Sequence, residues 1–372
     1  MEFIDLAAQQ KAILGKLEKR ISSVMKKGAY IMGPEVTELE GLLAEFCGAK
    51  RCISCANGTD ALILAMMALG VGSGDAVIVP SFTFASTAEA PCVVGAKPIF
   101  AEVDPATFNI CPESVERCLS EAQKHGLKVK ALIPVDLFGL PANYEILESL
   151  CQRENLKLVA DSAQGWGGTS NGRMTGTFGD ITTTSFFPAK PLGCYGDGGA
   201  LFTDNVDTAM VLDSLRVHGK GQEKYDNIRV GLNSRLDTLQ AAILIEKLAI
   251  YPSELIARQK IADYYTEALH EKFITPQVPS GSSSIWAQYT IQAKNQIERD
   301  AAMKKLASNG IPSGVYYPKP LHTQSAYSSF LRDPNGLVTS ENLSRTVFSL
   351  PMHPYLTRAD QDRVIGSLLG QS

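Results

Sequence analysis

The sequence predicts an α/β protein. A large domain, residues 1–250, carries a mostly parallel sheet covered by helices, and a smaller α+β domain, residues 251–372, follows it. Three observations lead there. Between residues 51 and 205, short runs that are apolar on both faces alternate with helical stretches, which is how strands buried in a parallel sheet read. With 372 residues, 45% of them hydrophobic and 20% charged, the chain is long enough for one large core and a second, smaller one. Past Tyr251-Pro252 the pattern changes to a long helix, a loop rich in Pro, Gly and Ser, and an alternating strand.

The elements follow in order. An opening helix spans about 9–27 and stops at Gly28; Pro34 in a first turn starts a second helix, 34–46, which ends at Gly48. The apolar link Ala29-Tyr30-Ile31-Met32 is expected to pack against the large domain, with Tyr30 either packed or touching substrate. Gly58 and Thr59 open a buried helix over 61–68. Strands are expected at 76–80, 98–103, 131–135, 158–160, 182–185 and 200–203. A helix over 206–217 precedes a polar, glycine-bearing loop at 218–226, and helices over 236–249 and 253–270 come next. Residues 276–284 read as loop, 285–291 as a half-buried strand, and 297–307 and 358–369 as helices.

Composition removes several classes of function. A net charge of −4 leaves no basic footprint for nucleic acid, and no block of like charges suggests a tail. Met1-Glu2-Phe3-Ile4-Asp5 lacks a signal peptide's basic start, and no apolar run is long enough to span a bilayer, so a cytoplasmic protein is expected. The eight cysteines lie mostly among apolar neighbours, as buried thiols do. Cys52 and Cys55 form a lone CxxC with no second pair at zinc spacing, and the five histidines make no pair on a helix face, so no metal is expected.

The chemistry concentrates in three places. Ser185-Phe186-Phe187-Pro188-Ala189-Lys190-Pro191-Leu192-Gly193 follows an apolar strand and puts Lys190 just past its end, between prolines, where poor hydration lowers an amine's pKa and favours Schiff-base chemistry. Asp161 ends the strand of residues 158–160 and faces the crevice where open α/β sheets bind ligands, able there to pair with a pyridinium nitrogen. At Gly58 and Thr59 the free N–H groups and positive dipole end of a helix favour a phosphate. A constrained lysine, a strand-end aspartate and a phosphate-ready helix start are what pyridoxal phosphate requires. Phe84, after another strand, can lie on a flat ring or pack in the core.

Asn-Gly-Thr-Asp-Ala-Leu at 57–62, Asp-Ser-Ala-Gln at 161–164, the 185–193 stretch and Gly-Leu-Asn-Ser-Arg-Leu-Asp at 231–237 together resemble the DegT-type nucleotide-sugar aminotransferases. The likeness runs from Phe3 to Tyr355 and implies pyridoxal-phosphate fold type I with a seven-stranded sheet. It implies that Lys190 holds the cofactor and shuttles protons, Asp161 protonates its ring nitrogen, Gln164 bonds its ring oxygen, Ser185 joins Gly58 and Thr59 at its phosphate, and Phe84 stacks on it. Asn233 would reach the phosphate of a neighbouring subunit, giving a homodimer with shared sites, although Asn233-Ser234 also reads as a simple turn. Arg235 would face the sugar or serve as a cap. Tyr316-Tyr317-Pro318 and His322 resemble a sugar-facing loop, with Tyr316 where histidine is common. That exchange keeps a hydrogen-bonding group and removes a possible positive charge. His322 could equally be a satisfied structural histidine. The donor would be L-glutamate and the acceptor a nucleotide-linked ketosugar, closest to UDP-linked 3-oxo-N-acetylhexosamine or its uronate, as in surface-polysaccharide biosynthesis. A related dehydratase, in which histidine replaces the lysine, and a non-catalytic sensor on the same fold are the rival readings.

Overall fold

The computed structural model describes residues 1–223 and 225–370; Lys224, in the polar loop at 218–226, and the last two residues lie outside the described residues. A seven-stranded sheet forms the centre, in the order Arg51–Cys55, Gly199–Thr203, Ile181–Ser185, Lys157–Asp161, Lys128–Leu132, Asp75–Pro80, Lys97–Ala101. Gly199–Thr203 runs against both of its neighbours, and the other pairings are parallel. Alternate side chains of each strand enter different cores, as the two-residue period requires. Val77, Val79, Ile53 and Leu201 meet the helices Gly58–Ala68, Ser86–Val93 and Val206–Leu215. Ala76, Ile78 and Leu132 meet Pro112–Lys124 and Tyr144–Glu154, while Cys52, Ala200 and Phe202 meet Pro34–Cys47 and Thr238–Leu248. The sheet is therefore covered on both faces, as the apolar runs predict.

The N-terminal helix Leu6–Lys27 and its successor both end on a left-handed glycine, Gly28 (φ 70) and Gly48 (φ 82), where a side chain would strain the turn. The link between them departs from expectation: Tyr30, Ile31 and Met32 are exposed. The backbone holds this link instead, through a bridge from Ile31 to Asp237 and a bond from Thr238 N to Tyr30 O of 2.9 Å, which leaves the side chains facing outward.

A separate body of packing lies in the C-terminal part, where Ile261, Tyr265, Leu306, Phe348 and Val364 join the helices Tyr251–Leu269, Gln296–Ser308 and Arg358–Leu369 to the antiparallel pair Tyr289–Gln292 and Val347–Leu350. Here the expected strand at 285–291 shrinks to Tyr289–Gln292. Trp286 is left-handed (φ 53), and the preceding stretch bonds across to the large sheet's loops, Ile285 N to Gly139 O at 2.9 Å and Gln288 N to Phe138 O at 3.3 Å. Within the expected loop at 276–284, Ser282–Ser283 pairs briefly with Thr169–Ser170. Among the described residues no helix is long and apolar enough to cross a membrane.

Candidate active site

The carboxyl ends of the parallel strands open onto one crevice, and the candidate residues gather there. Lys190 sits in a turn closed at its mouth: Lys190 N bonds Phe187 O at 2.8 Å, and Cys194 N bonds Phe186 O at 2.8 Å. Burial pushes the Lys190 ammonium down to a pKa of about 8, with the Asp161 carboxylate pulling the other way. Asp161, 4% exposed, accepts Ala163 N at 3.0 Å and Thr87 Oγ1 at 3.4 Å. Burial raises its pKa, opposed by the Ala163 amide and by Lys190. The aspartate therefore lacks a full charge partner and would gain most from a cation placed beside it.

The phosphate-ready corner is tightly built. Asn57 caps the helix Gly58–Ala68, its Oδ1 accepting from Asp60 N at 2.8 Å, and the N–H groups of Gly58 and Thr59 have no protein acceptor among the described residues. A Cβ on Gly58 would stand 2.7 Å from Ser185 Cβ, so the helix start and the strand end touch and bring the Ser185 hydroxyl beside the free N–H groups. Phe84, 54% exposed despite its apolar ring, lies 6.2 Å from the ring of Tyr317, whose hydroxyl accepts from Gln164. An amine, a buried carboxylate, an uncovered ring and an anion cradle fit pyridoxal phosphate.

Gln164 is held at both ends. Its Oε1 accepts from Phe138 N at 3.0 Å, which fixes the carbonyl end, and its Nε2 donates to the Tyr317 hydroxyl at 3.0 Å. One Nε2 hydrogen remains for a ligand. Burial raises the Tyr317 pKa and keeps the phenol neutral. Tyr316 is half-buried, its ring 6.2 Å from Phe3 and 6.1 Å from Tyr317.

Three candidates stand elsewhere. His322 is 3% exposed with both ring nitrogens engaged, by Ser81 Oγ at 2.6 Å and Glu341 Oε1 at 3.2 Å, and burial lowers its pKa. These bonds fit the structural reading of His322. Asn233 is exposed on the stretch before the helix Thr238–Leu248, and Arg235 lines an open surface cleft with His218 and Arg229. Neither joins Lys190 within this chain.

Sequence reasoning missed the layer behind Asp161. Asp136, fully buried, accepts from Tyr144 OH at 2.6 Å, from Ala142 N at 2.9 Å and from the Ser162 hydroxyl, and burial pushes its pKa up to about 7. Its own N–H bonds Asp161 O at 2.9 Å, fixing the strand end that presents Asp161. Asp136 follows the run 131–135 as Asp161 follows 158–160, and that parallel was the available signal.

Comparison with known proteins agrees with this geometry. The DegT/DnrJ/EryC1/StrS aminotransferase family matches residues 12–369. A Pseudomonas aeruginosa protein named UDP-2-acetamido-2-deoxy-3-oxo-D-glucuronate aminotransferase is 44% identical over 360 residues, 96% of this chain and 97% of that protein. A Geobacillus stearothermophilus protein named a pleiotropic regulatory protein is 38% identical over 366 residues, 97% of this chain and 96% of its own length. The crystal structure of a DegT DnrJ EryC1 StrS aminotransferase from Brucella abortus superposes with a TM-score of 0.97 at 51% identity, covering 100% of this chain and 99% of that one. Full-length likeness in sequence and fold, on a chain whose crevice suits pyridoxal phosphate, leads to one conclusion: this protein belongs to the DegT/DnrJ/EryC1/StrS aminotransferases and depends on pyridoxal phosphate.

Proposed function

We propose that the chain moves the amino group of L-glutamate to the C3 ketone of a UDP-linked 3-oxo-N-acetylhexosamine or its uronate, with Lys190 as the catalytic residue. The observation that carries the catalytic reading is the placement of Lys190, in a tight turn just past the strand Ile181–Ser185 and near the buried Asp161, where burial lowers the amine's pKa. The substrate reading rests on the 44% identical relative, whose name specifies a UDP-linked 3-oxo sugar acid.

Bound pyridoxal phosphate supplies an electron sink for a C–H bond next to nitrogen and carries the amino group between the two substrates. Lys190 Nζ attaches the cofactor, which a lysine with a lowered pKa does readily at neutral pH because more of it is free amine. Freed for the donor, Lys190 Nζ would take the proton from the donor's Cα and, with the sugar bound, would deliver one to the sugar's C3. The Asp161 carboxylate would face the ring nitrogen and keep a proton there, which would offset the cost of its own burial. Gln164 Nε2 would donate its remaining hydrogen to the ring oxygen, Phe84 would cover a ring face, and the N–H groups of Gly58 and Thr59 with the Ser185 hydroxyl would hold the phosphate. Tyr316 and Tyr317 line the sugar's approach. In a homodimer, exposed Asn233 and Arg235 reach the neighbouring site, Asn233 at its phosphate and Arg235 toward its sugar. The division at residue 250 leaves the sugar a cleft between two bodies of packing.

Turnover decides the matter: purified enzyme with L-glutamate and either UDP-linked 3-oxo sugar should yield 2-oxoglutarate and a 3-amino sugar. Activity on 4-oxo sugars alone would overturn the C3 assignment. Binding of cofactor with no turnover of any ketosugar would favour a non-catalytic role such as the regulatory one in the name of the Geobacillus relative.

A further inference from the structure

Lys247 is a lysine where a lysine is costly. It lies on the helix Thr238–Leu248 with 1% of its surface exposed, and among the described residues no carboxylate forms an ion pair with it. The carboxylate that acts on it, Glu254, does so only from beyond ion-pair distance, and burying an ammonium so weakly paired costs on the order of several kcal/mol, so that an apolar side chain of similar length is often as good or better for stability. Burial pushes the pKa of Lys247 down to about 8, in keeping with poor solvation.

What the ammonium touches gives a reason for its presence. Nζ donates to Gly193 O at 2.6 Å and lies 4.3 Å from the centroid of the Tyr195 ring. Seven residues earlier on the same helix face, Gln240 Oε1 accepts from Tyr195 N at 2.8 Å. One helix thus grips residues 193–195 at two points. That segment is the return limb of the turn bearing Lys190, and the turn has no slack: a Cβ on Gly193 would stand 2.5 Å from Phe187 O and 2.6 Å from Pro188 O. The inner side of the limb is thus closed by residues 187–188, and the helix holds the limb through Lys247 and Gln240.

We propose that Lys247 is a positioning residue for Lys190, anchoring the catalytic turn through the Gly193 carbonyl and the Tyr195 ring, with Gln240 as the second anchor on the same helix. The inference rests on Lys190 being the catalytic lysine. A methionine in place of Lys247 fills similar volume and removes the donor, so it separates packing from positioning. The turn then drifts, and Nζ of Lys190 loses the alignment on which proton transfer depends.

The test uses the holoenzymes of wild type, Lys247→Met, Gln240→Ala and Lys190→Ala. It reads thermal midpoint, the L-glutamate half-reaction rate per bound cofactor, and glutamate half-saturation. Lys247→Met is expected to keep or raise the midpoint, lower the rate about tenfold or more and change half-saturation less than about twofold. Gln240→Ala, at a partly exposed position that tolerates truncation, should lower the rate in the same manner by a smaller factor. Rates within about twofold of wild type in both variants, or a loss tracking a lower midpoint, would overturn the proposal. Should Lys247→Met not accumulate as folded holoenzyme, Gln240→Ala decides on the same readings. Lys190→Ala separates the two levels: if it keeps the half-reaction, the catalytic assignment itself is wrong, whatever Lys247 does.

Discussion

Replacing Gly58 by alanine should weaken cofactor binding roughly ten- to hundredfold, alongside a fold cost of similar size. The added Cβ would lie 2.7 Å from Ser185 Cβ, 3.1 Å from its Oγ and 3.3 Å from its Cα. Carbon atoms rest at about 3.5–4.0 Å, so the helix start and the strand end must separate by about 1 Å. The crowded atoms belong to a side chain's root and its backbone, which cannot swing aside. For the fold, overpacking costs about 1–3 kcal/mol, and the better helix propensity of alanine returns up to about 1 kcal/mol. For the cofactor, one charge-assisted bond to phosphate lost from the Gly58, Thr59 and Ser185 cradle costs about 1.5–3 kcal/mol, roughly ten- to hundredfold in affinity. Titrating apoenzyme with pyridoxal phosphate and following the visible absorbance measures this, with a melting curve alongside. The double variant Gly58→Ala with Ser185→Gly relieves the clash and should regain stability while affinity stays low, because the hydroxyl is gone. Unchanged affinity in Gly58→Ala, within about twofold, would refute the placement of the phosphate between this helix start and Ser185.

Two further outcomes follow from the same site. Capture of pyridoxal phosphate by the apoenzyme should rise with pH through a midpoint near 8, because burial lowers the Lys190 ammonium from its ordinary 10.5; a rate still climbing toward pH 10 would contradict it. The sign for stability agrees, since the buried cation opposes folding below pH 8 and that penalty fades as pH rises toward 10.5. The proposed sharing of sites between two subunits predicts complementation: Lys190→Ala and Asn233→Ala subunits, each nearly inactive alone, should regain about a quarter of wild-type activity on random 1:1 exchange, since half of the dimers would carry one intact site. No recovery despite demonstrated exchange would place Asn233 in its own subunit's chemistry or outside the site altogether.

Much of this was legible in the sequence because it is local. Strand runs apolar on both faces announce a covered sheet, and Gly28 and Gly48 stop their helices where a left-handed residue is needed. Lys190, Asp161 and Gly58 stand at strand and helix ends, which periodicity locates. Contacts between distant segments were not legible. His322 could be judged only by meeting Ser81 and Glu341. Trp286 sits in a pattern that alternates like a strand, yet its neighbours pair with Phe138 and Gly139, nearly 150 residues away in the chain. The strand Arg51–Cys55 went unread because the partner that makes it a strand, Gly199–Thr203, lies far along the chain. Lys247, in Ile245-Glu246-Lys247-Leu248, looks like any solvated helical lysine, and only packing reveals it as buried. The link at 29–32 shows the converse, apolar side chains left outside because the backbone holds the segment in place.

The central claim is that Lys190 both anchors pyridoxal phosphate and moves protons for an amino donor. The most direct measurement is the absorbance spectrum of the purified protein with pyridoxal phosphate, before and after L-glutamate, with Lys190→Ala beside it. Wild type should show a visible band that bleaches on adding glutamate, with release of 2-oxoglutarate, and the variant should show neither the band nor the release. A wild-type protein that fails to bind the cofactor, or binds it and responds to no amino donor, would contradict the account.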